Sequence, residues 1–396
     1  MKRIIIVGAG ASGLMCAINS KTNLNEVIVL EKNSTPGKKI LMSGNGRCNF
    51  YNDDQSINRY HSNSNKIENI FEDSIRVLDY FNSIGIKYTT KNGYYYPYSN
   101  KSETISNVLI NEANKKGVNI ICDYEVNTIS KEGNEFVINN DLRCDVLVLS
   151  TGSMSGINYD IFYGYDFLDS FNLEIVRPLP SLTKLICEGS FFNKWNGIRT
   201  KAIVSSFDND ILLKEEEGEI LLTDYGISGI CVFNISRDIV KLLDDGKTPK
   251  VKINFMEDFS IEDLFNNDLT VKETLDRVLD EKLVDVILNK YHIPKDKKYD
   301  DLNNEEKNNV RHGLYAFELN VIDYKDFKSS QVTQGGLSLD EVNDNFETIK
   351  VPNLYVIGEL LDIDGDCGGY NLTSAFLTAL KASDKIKDLK WLEYVK

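Results

Sequence analysis

Proline is scarce, with 7 in 396 residues, and histidine scarcer still at 3. So few prolines, beside only 26 glycines, exclude a collagen-like or low-complexity chain. His61, His292 and His312 lie far apart, which leaves a histidine-rich metal site without its ligands; no metal is expected. The seven cysteines (Cys16, Cys48, Cys122, Cys144, Cys187, Cys231 and Cys367) are odd in number and scattered, with no C-x-x-C pair. Neither a disulfide framework nor a zinc site fits that spacing. Long apolar runs are missing too. The stretch from Ile4 to Ile18 is broken by Gly8, Gly10, Ser12 and Gly13, and falls short of the roughly 20 apolar residues a spanning helix needs. Lys2 and Arg3 imitate the start of a secretory leader, but no small-residue cleavage site follows cleanly, so a cytoplasmic protein is expected. Positive charge is in deficit: 45 basic against 60 acidic residues gives −15. A surface that negative repels phosphate backbones and anionic lipid, so neither nucleic acid nor a membrane is expected as partner.

What is present is 42% hydrophobic and 27% charged, an ordinary globular balance in a chain too long for one core. Lys2-Arg-Ile-Ile-Ile-Val7 is a continuous β-branched run, the pattern of a strand buried on both faces of a parallel sheet. A glycine turn, a helix-like stretch to about Lys21 and the run Glu26–Leu30 complete a β-α-β unit. The same strand pattern returns at 118–122, 145–149 and 353–357, with helix-like stretches at 103–116 and 374–385. Between them, 184–256 alternates in short segments such as Lys201–Phe207 and Glu219–Thr223, which predicts an antiparallel, barrel-like unit. Residues 260–313 are charge-rich with helical spacing, and 315–324 returns to strand-like alternation. The expected organisation is an α/β domain from both chain ends, 1–183 with 333–396. It is interrupted by a β-barrel-like insert, 184–257 with 314–332, and a helical subdomain, 258–313. No repeat of 20 to 50 residues is found.

Gly8-Ala9-Gly10-Ala11-Ser12-Gly13 is G-x-G-x-x-G between a strand and a helix. The first glycine allows the tight turn, the second lets backbone approach a pyrophosphate, and the third lets helix and strand pack closely. The helix N-terminus adds free N–H groups and a positive dipole end. Glu31, 18 positions past Gly13, stands where an acid takes the ribose hydroxyls. The pattern says dinucleotide without saying which. Two later turns favour FAD: Ser150-Thr151-Gly152 resembles the A-T-G turn of two-dinucleotide-binding-type flavoproteins, and Ile357-Gly358-Glu359 resembles their late Gly-Asp turn, whose acid meets the ribityl chain. With a single phosphate fingerprint, any NAD(P)H is expected to dock only transiently.

Lys38-Lys-Ile-Leu-Met-Ser-Gly-Asn-Gly-Arg-Cys-Asn49 and Gly358-Glu-Leu-Leu-Asp-Ile-Asp-Gly-Asp-Cys-Gly-Gly-Tyr-Asn-Leu372 go beyond a generic fingerprint. With 93–99, 218–229 and 332–336 they resemble, in order, blocks of the bacterial aminoacetone oxidase-like or BaiN-like NAD(P)/FAD-dependent oxidoreductases. The resemblance runs from residue 1 to about 380 and implies a Rossmann-like FAD domain interrupted by a β-barrel-like and a helical subdomain. Departures are Asp224 for the family's histidine in T-H-Y-G-x-S-G-P, Ile230 for its proline, and Ser153 and Met154 after the Thr-Gly turn. If that histidine has a substrate role elsewhere, Asp224 puts the same substrate in doubt here.

The residues expected to contact FAD are Gly8, Ala9, Gly10, Ala11, Ser12, Gly13, Glu31, Lys32, Lys38, Ser43, Gly44, Arg47, Cys48, Asn49, Val126, Thr151, Gly152, Gly358, Glu359, Gly369, Tyr370, Asn371 and Leu372. Within them, the polar loop 43–49 offers backbone N–H groups, with Arg47 as a charge opposite a phosphate or a flavin carbonyl. Gly369, Tyr370 and Asn371 precede the last helix, whose N-terminus suits negative charge at the flavin's N1–C2 edge. Cys48 and Tyr370 are the candidates for a catalytic role, although Cys48 has no partner cysteine nearby and packing beside the flavin is the simpler reading. Tyr94, Tyr95, Tyr96 and Tyr98 suit either an apolar substrate cleft or ordinary packing; His292 and His312 read as structural. The expected function is an FAD-dependent oxidoreductase, with non-covalent FAD, moving hydride between flavin N5 and a small organic substrate, and NAD(P)H as transient partner. The alternatives are a flavin-binding redox regulator without turnover and a flavin-dependent nucleic-acid modification enzyme.

Overall fold

The computed structural model describes residues 1–156, 164–266 and 268–389. The chain divides into two compact units, Met1–Pro178 with Val332–Lys396, and Leu179–Gln331.

In the first unit, Ile4, Ile5 and Ile6 are fully buried, as a β-branched run covered on both faces must be. The strand Lys2–Val7 lies at the centre of a five-stranded sheet, in the order Leu354–Val356, Val146–Leu149, Lys2–Val7, Asn25–Leu30, Asn119–Ile121. Every pairing is parallel. Val7 is in register with Leu30 on one side and Leu149 on the other, so the strands end together. Gly8, Glu31, Ser150 and Ile357 follow at that edge, each N–H donating to a neighbouring strand end: Gly8 to Leu30 at 2.8 Å, Glu31 to Ile121 at 2.8 Å, Ser150 to Val7 at 2.9 Å and Ile357 to Leu149 at 3.0 Å. Carboxyl ends of parallel strands are where open α/β sheets bind ligands. The helices Ala11–Ser20 and Ser102–Lys115 connect the strands, and Ala11–Ser20 packs on the long closing helix, Tyr370–Asp388.

That closing helix starts at Tyr370, four residues before the expected Ser374. Thr373 and Ser374 obscure its first turn in the sequence, but Gly369 at φ 98 turns the chain and Thr373 donates its hydroxyl to the Gly369 carbonyl at 3.0 Å. Two small antiparallel sheets flank the ligand edge: Tyr51–Asn52 with Tyr94–Pro97 and Tyr88–Lys91, and Tyr60–His61 with Asp364–Gly365.

The second unit contains a closed six-stranded barrel, in the order Leu185–Cys187, Gly226–Gly229, Ile211–Leu222, Arg199–Asp208, Lys250–Asn254, Phe317–Tyr324. Closure occurs where Leu185–Cys187 pairs antiparallel with Phe317–Tyr324, which removes the open edge. The charge-rich segment after the barrel forms helices because three of them carry capping boxes: Ser260 with Asp263, Thr270 with Glu273 and Asn303 with Glu306. Their apolar faces, including Leu283, Ile287, Val310 and Leu314, share one core with the barrel's Val204, Ile220, Val251 and Phe317. The strand expected over 315–324 begins at Phe317, since Tyr315 closes the preceding helix.

Candidate cofactor site

The three fingerprint glycines differ in what surrounds them. A Cβ on Gly8, which sits at φ 104, would lie 2.5 Å from the Ser150 carbonyl oxygen. One on Gly13 would lie 2.0 Å from the Gly8 carbonyl oxygen. Both positions are closed by the protein's own backbone, as a tight turn and a helix packed on a strand require. Gly10 has an ordinary φ of −81 and nothing within 4 Å of its Cβ position. The space beside it, at the N-terminus of the helix Ala11–Ser20, is open. Ala11 opens that helix and Ser12 is buried against Gly358.

Glu31 emerges from the adjacent strand end and is nearly buried, with 8% of its surface exposed. Its Oε2 accepts the Ala9 N–H at 2.8 Å, and Oε1 accepts the Asn33 backbone N–H at 2.9 Å and the Asn33 side-chain amide. Lys38 reaches the same group, donating to Asn33 Oδ1 at 3.3 Å, and Lys32 lies in the same turn. Val126 is buried in the segment beyond Tyr124, whose N–H donates to the Glu31 carbonyl at 2.9 Å. The acid therefore ties the glycine loop to the end of the second strand.

Around the loop 43–49, Gly44, Asn45, Gly46 and Cys48 all have positive φ, at 55, 53, 80 and 56. Such a left-handed run exposes backbone N–H groups on its concave side. Ser43 is held by donation to the Ile40 carbonyl at 2.6 Å, and the Arg47 guanidinium lies 5.6 Å from the Tyr96 ring centroid. Cys48 is fully buried, and burial pushes its thiol up to about 12, so it stays protonated near neutral pH. Among the described residues, the buried oxygens that lack a hydrogen-bond partner include Asn49 Oδ1 and Thr151 Oγ1. Gly152, at φ 74, has open space at its Cβ position.

Glu359 was expected to face a ribityl chain. Its Oε2 accepts from Lys39 Nζ at 2.5 Å and its Oε1 accepts the Thr333 N–H at 3.2 Å, while Lys39 also reaches Ser153 Oγ at 3.1 Å. Lys39, rather than Lys38, makes this connection. Both lysines lie in the short helix Lys38–Met42, and successive helical residues point in different directions, so Lys38 reaches Asn33 instead.

At Gly369, a Cβ would meet Asn49 Oδ1 and the Tyr51 carbonyl oxygen, each at 2.9 Å. At Gly368 it would meet the Tyr94 ring at 2.7 Å and the Tyr370 ring at 3.0 Å. The 43–52 loop, the Tyr94 strand and the start of the closing helix thus converge, and Leu372 lies in that helix's first turn. Asn371 clamps Gly365, accepting its N–H at 2.9 Å and donating to its carbonyl at 2.8 Å. Tyr94 and Tyr96 are part of this wall and Tyr95 donates to Asp53 at 2.6 Å, but Tyr98 is 77% exposed and points away.

One cluster escaped sequence reading. His61 Nε2 lies 3.1 Å from Asp366 Oδ1, Arg59 Nη1 donates to Asp366 Oδ2 at 3.2 Å, and Arg59 Nε donates to Asp54 Oδ2 at 2.9 Å. His61 and Asp366 are 305 positions apart, so no local motif links them. In the second unit, Asp224 is exposed, and Ile230 opens the helix Ile230–Asp244. Among the described residues no three His, Cys, Asp or Glu side chains gather as a metal site would need, and no helix is long and apolar enough to cross a membrane.

A parallel sheet whose ends carry a glycine loop, an acid and two helix N-termini defines a class, the Rossmann-type FAD-dependent oxidoreductases. The chain belongs to the family described as HI0933-like protein Rossmann domain, which matches residues 2–385. It is 32% identical to the 3-dehydro-bile acid delta(4,6)-reductase of Clostridium scindens, covering 96% of this chain and 98% of that one. It is 27% identical to the ribosomal RNA dihydrouridine synthase of Escherichia coli, covering 95% of each. The solved 3-ketosteroid delta1-dehydrogenase of Sterolibacterium denitrificans shares the fold, at a TM-score of 0.52 and 12% identity, over 98% of this chain and 100% of that one.

Proposed function

We propose that the protein is an FAD-dependent reductase of a carbon–carbon double bond conjugated to a carbonyl, with NAD(P)H docking transiently as the source of electrons. The observation that carries the cofactor is the contrast within the glycine loop. Gly8 and Gly13 are closed by backbone, whereas Gly10 borders open space at a helix N-terminus. The buried, unpartnered Asn49 Oδ1 and Thr151 Oγ1 supply polar atoms that a bound flavin nucleotide would satisfy.

The loop at Gly10 and the first turn of the helix would hold the pyrophosphate by N–H donation. Glu31 would accept from one adenosine ribose hydroxyl with the lone pair that Oε2 keeps beside the Ala9 N–H. Glu359, held by Lys39, would face the ribityl chain. FAD, when bound, supplies a hydride site at N5 and gains negative charge along its N1–C2 edge on reduction. The N-terminus of the closing helix, from Gly369 to Leu372, would meet that charge with free N–H groups and the positive end of the helix dipole. Cys48, protonated and buried, packs beneath this wall rather than reacting.

The substrate class draws support from two relatives. A bile acid with a 3-oxo group and 4,6-unsaturation carries a conjugated enone, and the uracil ring carries a C5=C6 bond conjugated to a carbonyl. Both names describe saturating such a bond. The free small molecule is the reading favoured here, because a net charge of −15 opposes an RNA backbone. RNA modification is the second reading, favoured by the dihydrouridine synthase likeness. The test is anaerobic: the FAD-loaded protein is reduced with NADH or NADPH, then mixed with a 3-dehydro-4,6-diene bile acid or with unmodified ribosomal RNA. Flavin reoxidation by the bile acid alone supports the leading reading, and reoxidation by RNA alone supports the second. A flavin that nicotinamides never reduce supports the regulator without turnover.

A further inference from the structure

We propose that His61 is the catalytic acid of this reaction, delivering a proton from Nδ1 to the substrate's α-carbon, with Asp366 as its positioning residue. The proposal rests on the reductase reading above. Reducing a conjugated C=C bond takes a hydride at the β-carbon and a proton at the α-carbon, and the flavin supplies only the first.

The placement comes from a small two-stranded antiparallel sheet. Tyr60–His61 pairs with Asp364–Gly365, with His61 opposite Asp364 and Tyr60 opposite Gly365. Asp364–Gly365 leads through Gly368 and Gly369 into the closing helix, the segment assigned to the flavin's N1–C2 edge. Asp366 is 3% exposed in its side chain, whereas His61 is 24% exposed. The imidazole therefore turns one nitrogen, Nε2, onto a buried carboxylate and keeps a face toward solvent. A carboxylate on Nε2 fixes the proton there in the neutral ring, which leaves Nδ1 to take and deliver the second proton.

Several charged groups surround the imidazole. Asp366 faces it directly, and Arg59 binds Asp366 from the opposite oxygen while sharing its own charge with Asp54. Asp364 lies opposite on the paired strand, and Asp362 accepts from Ser62 Oγ at 3.1 Å and the Asn63 N–H at 2.8 Å. Tyr370, whose ring meets Tyr60 edge-on at 5.5 Å, is the competing acid. Burial pushes its phenol above the ordinary value, which makes it the weaker donor at neutral pH.

In the step, the β-carbon receives hydride from reduced flavin, and the π pair of the C=C bond shifts to leave an enolate on the carbonyl oxygen. As the enolate collapses, the α-carbon forms its bond to the Nδ1 proton and the imidazolium becomes neutral. The substrate gains two electrons and two hydrogens, the flavin is oxidised, and NAD(P)H restores it. His61 regains its proton from solvent.

Two measurements test this. With only three histidines in the chain, long-range proton–nitrogen spectra of nitrogen-15-labelled protein resolve each ring, and His61→Gln assigns the signal. Neutral His61 is expected to carry its proton on Nε2 in the wild type and to lose that single tautomer in Asp366→Asn. A wild-type His61 protonated on Nδ1 overturns the proposal. In stopped flow, His61→Gln is expected to slow reoxidation of the NADPH-reduced flavin by a 3-dehydro-4,6-diene bile acid by about 100-fold or more. FAD affinity and the NADPH reduction step should stay at wild-type values. An unchanged reoxidation rate in His61→Gln, or the same loss in Tyr370→Phe instead, refutes the role of His61. Wild-type flavin that binds and is reduced but ignores the enone refutes the substrate class and this role with it. Failure to bind FAD at all refutes the cofactor reading first.

Discussion

Substituting the loop glycines one at a time separates what the fold needs from what a ligand needs. Gly10 has φ −81 and nothing within 4 Å of its Cβ position, so a side chain there starts into open space. Thermal stability should stay near wild type, because replacing an N-cap glycine by an apolar residue costs only about 1 kcal/mol. The branched side chain would instead occupy the space assigned to the pyrophosphate. Losing two backbone N–H bonds to that charged group, at about 1.5–3 kcal/mol each, would weaken FAD binding by about 10²–10⁴-fold. Gly8→Ala should behave in the opposite manner. Its φ of 104 and the 2.5 Å approach to the Ser150 carbonyl oxygen make alanine a strain on the sheet edge itself. A cost of about 1–3 kcal/mol is expected, which lowers the melting temperature by several degrees even in apoprotein. Calorimetry on apoprotein and FAD titration by fluorescence quenching read the two effects independently. Wild-type FAD affinity in Gly10→Val would refute the assignment of the open space to the cofactor.

The flavin should be held non-covalently, so acid precipitation should release yellow FAD into the supernatant; colour kept by the pellet would mean a covalent link. Cys16, Cys48, Cys144 and Cys187 are each raised from 9.0 to about 12 by burial. Their thiols release protons first in the unfolded chain, so stability is intact below about pH 9 and falls as pH rises toward 12, which denaturant titrations across that window would register. Flat stability from pH 8 to 11 would show that these thiols ionise as readily folded as unfolded. Cys48 should also resist a thiol reagent at neutral pH until denaturant is added, and rapid labelling in the native protein would contradict its burial.

The sheet was legible because a strand buried on both faces writes itself as an unbroken β-branched run, and Ile4–Ile6 is such a run. Alternation likewise announced the barrel strands, though closure through Leu185–Cys187 and Phe317–Tyr324 is a long-range pairing that no local pattern encodes. The glycine loop and Glu31 were legible because the chemistry needs those residue types at fixed offsets. Side-chain direction was not. Lys38 and Lys39 are adjacent, and only the folded helix shows that Lys39 reaches Glu359. Tyr94 and Tyr98 share one aromatic run, yet Tyr94 packs at Gly368 while Tyr98 leaves the wall. His61 and Asp366 meet only because a long-range strand pairing brings residues near position 60 onto the entry to the last helix. The start of that helix was hidden by Thr373 and Ser374; in the fold the Thr373 hydroxyl satisfies the Gly369 carbonyl inside the turn.

Glu31 bears on whether the open space holds a whole dinucleotide or merely an anion. Its Oε2 already accepts the Ala9 N–H, so removing the side chain disturbs the glycine loop as well as any ribose contact. Glu31→Ala is therefore expected to weaken FMN as well as FAD, since both place a phosphate at that loop. Glu31→Gln is the sharper probe. Its amide keeps the size and one acceptor oxygen at the Ala9 side, but it removes the negative charge that a ribose hydroxyl would meet there and turns an NH2 toward Asn33. Each ribose hydroxyl bonded to a carboxylate contributes about 1.5–3 kcal/mol, so the glutamine variant should lose about one to two orders of magnitude in FAD affinity. FMN, which lacks the adenosine ribose, should bind the variant as it binds the wild type. The visible spectrum of bound FAD should also be unchanged, because the isoalloxazine lies at the far end of the cofactor. If Glu31→Gln weakens FMN and FAD equally, Glu31 serves the loop alone and the adenosine half lies elsewhere. If it weakens neither, the carboxylate's charge has no part in binding, and the strand-end acid is only a brace between Ala9 and Asn33.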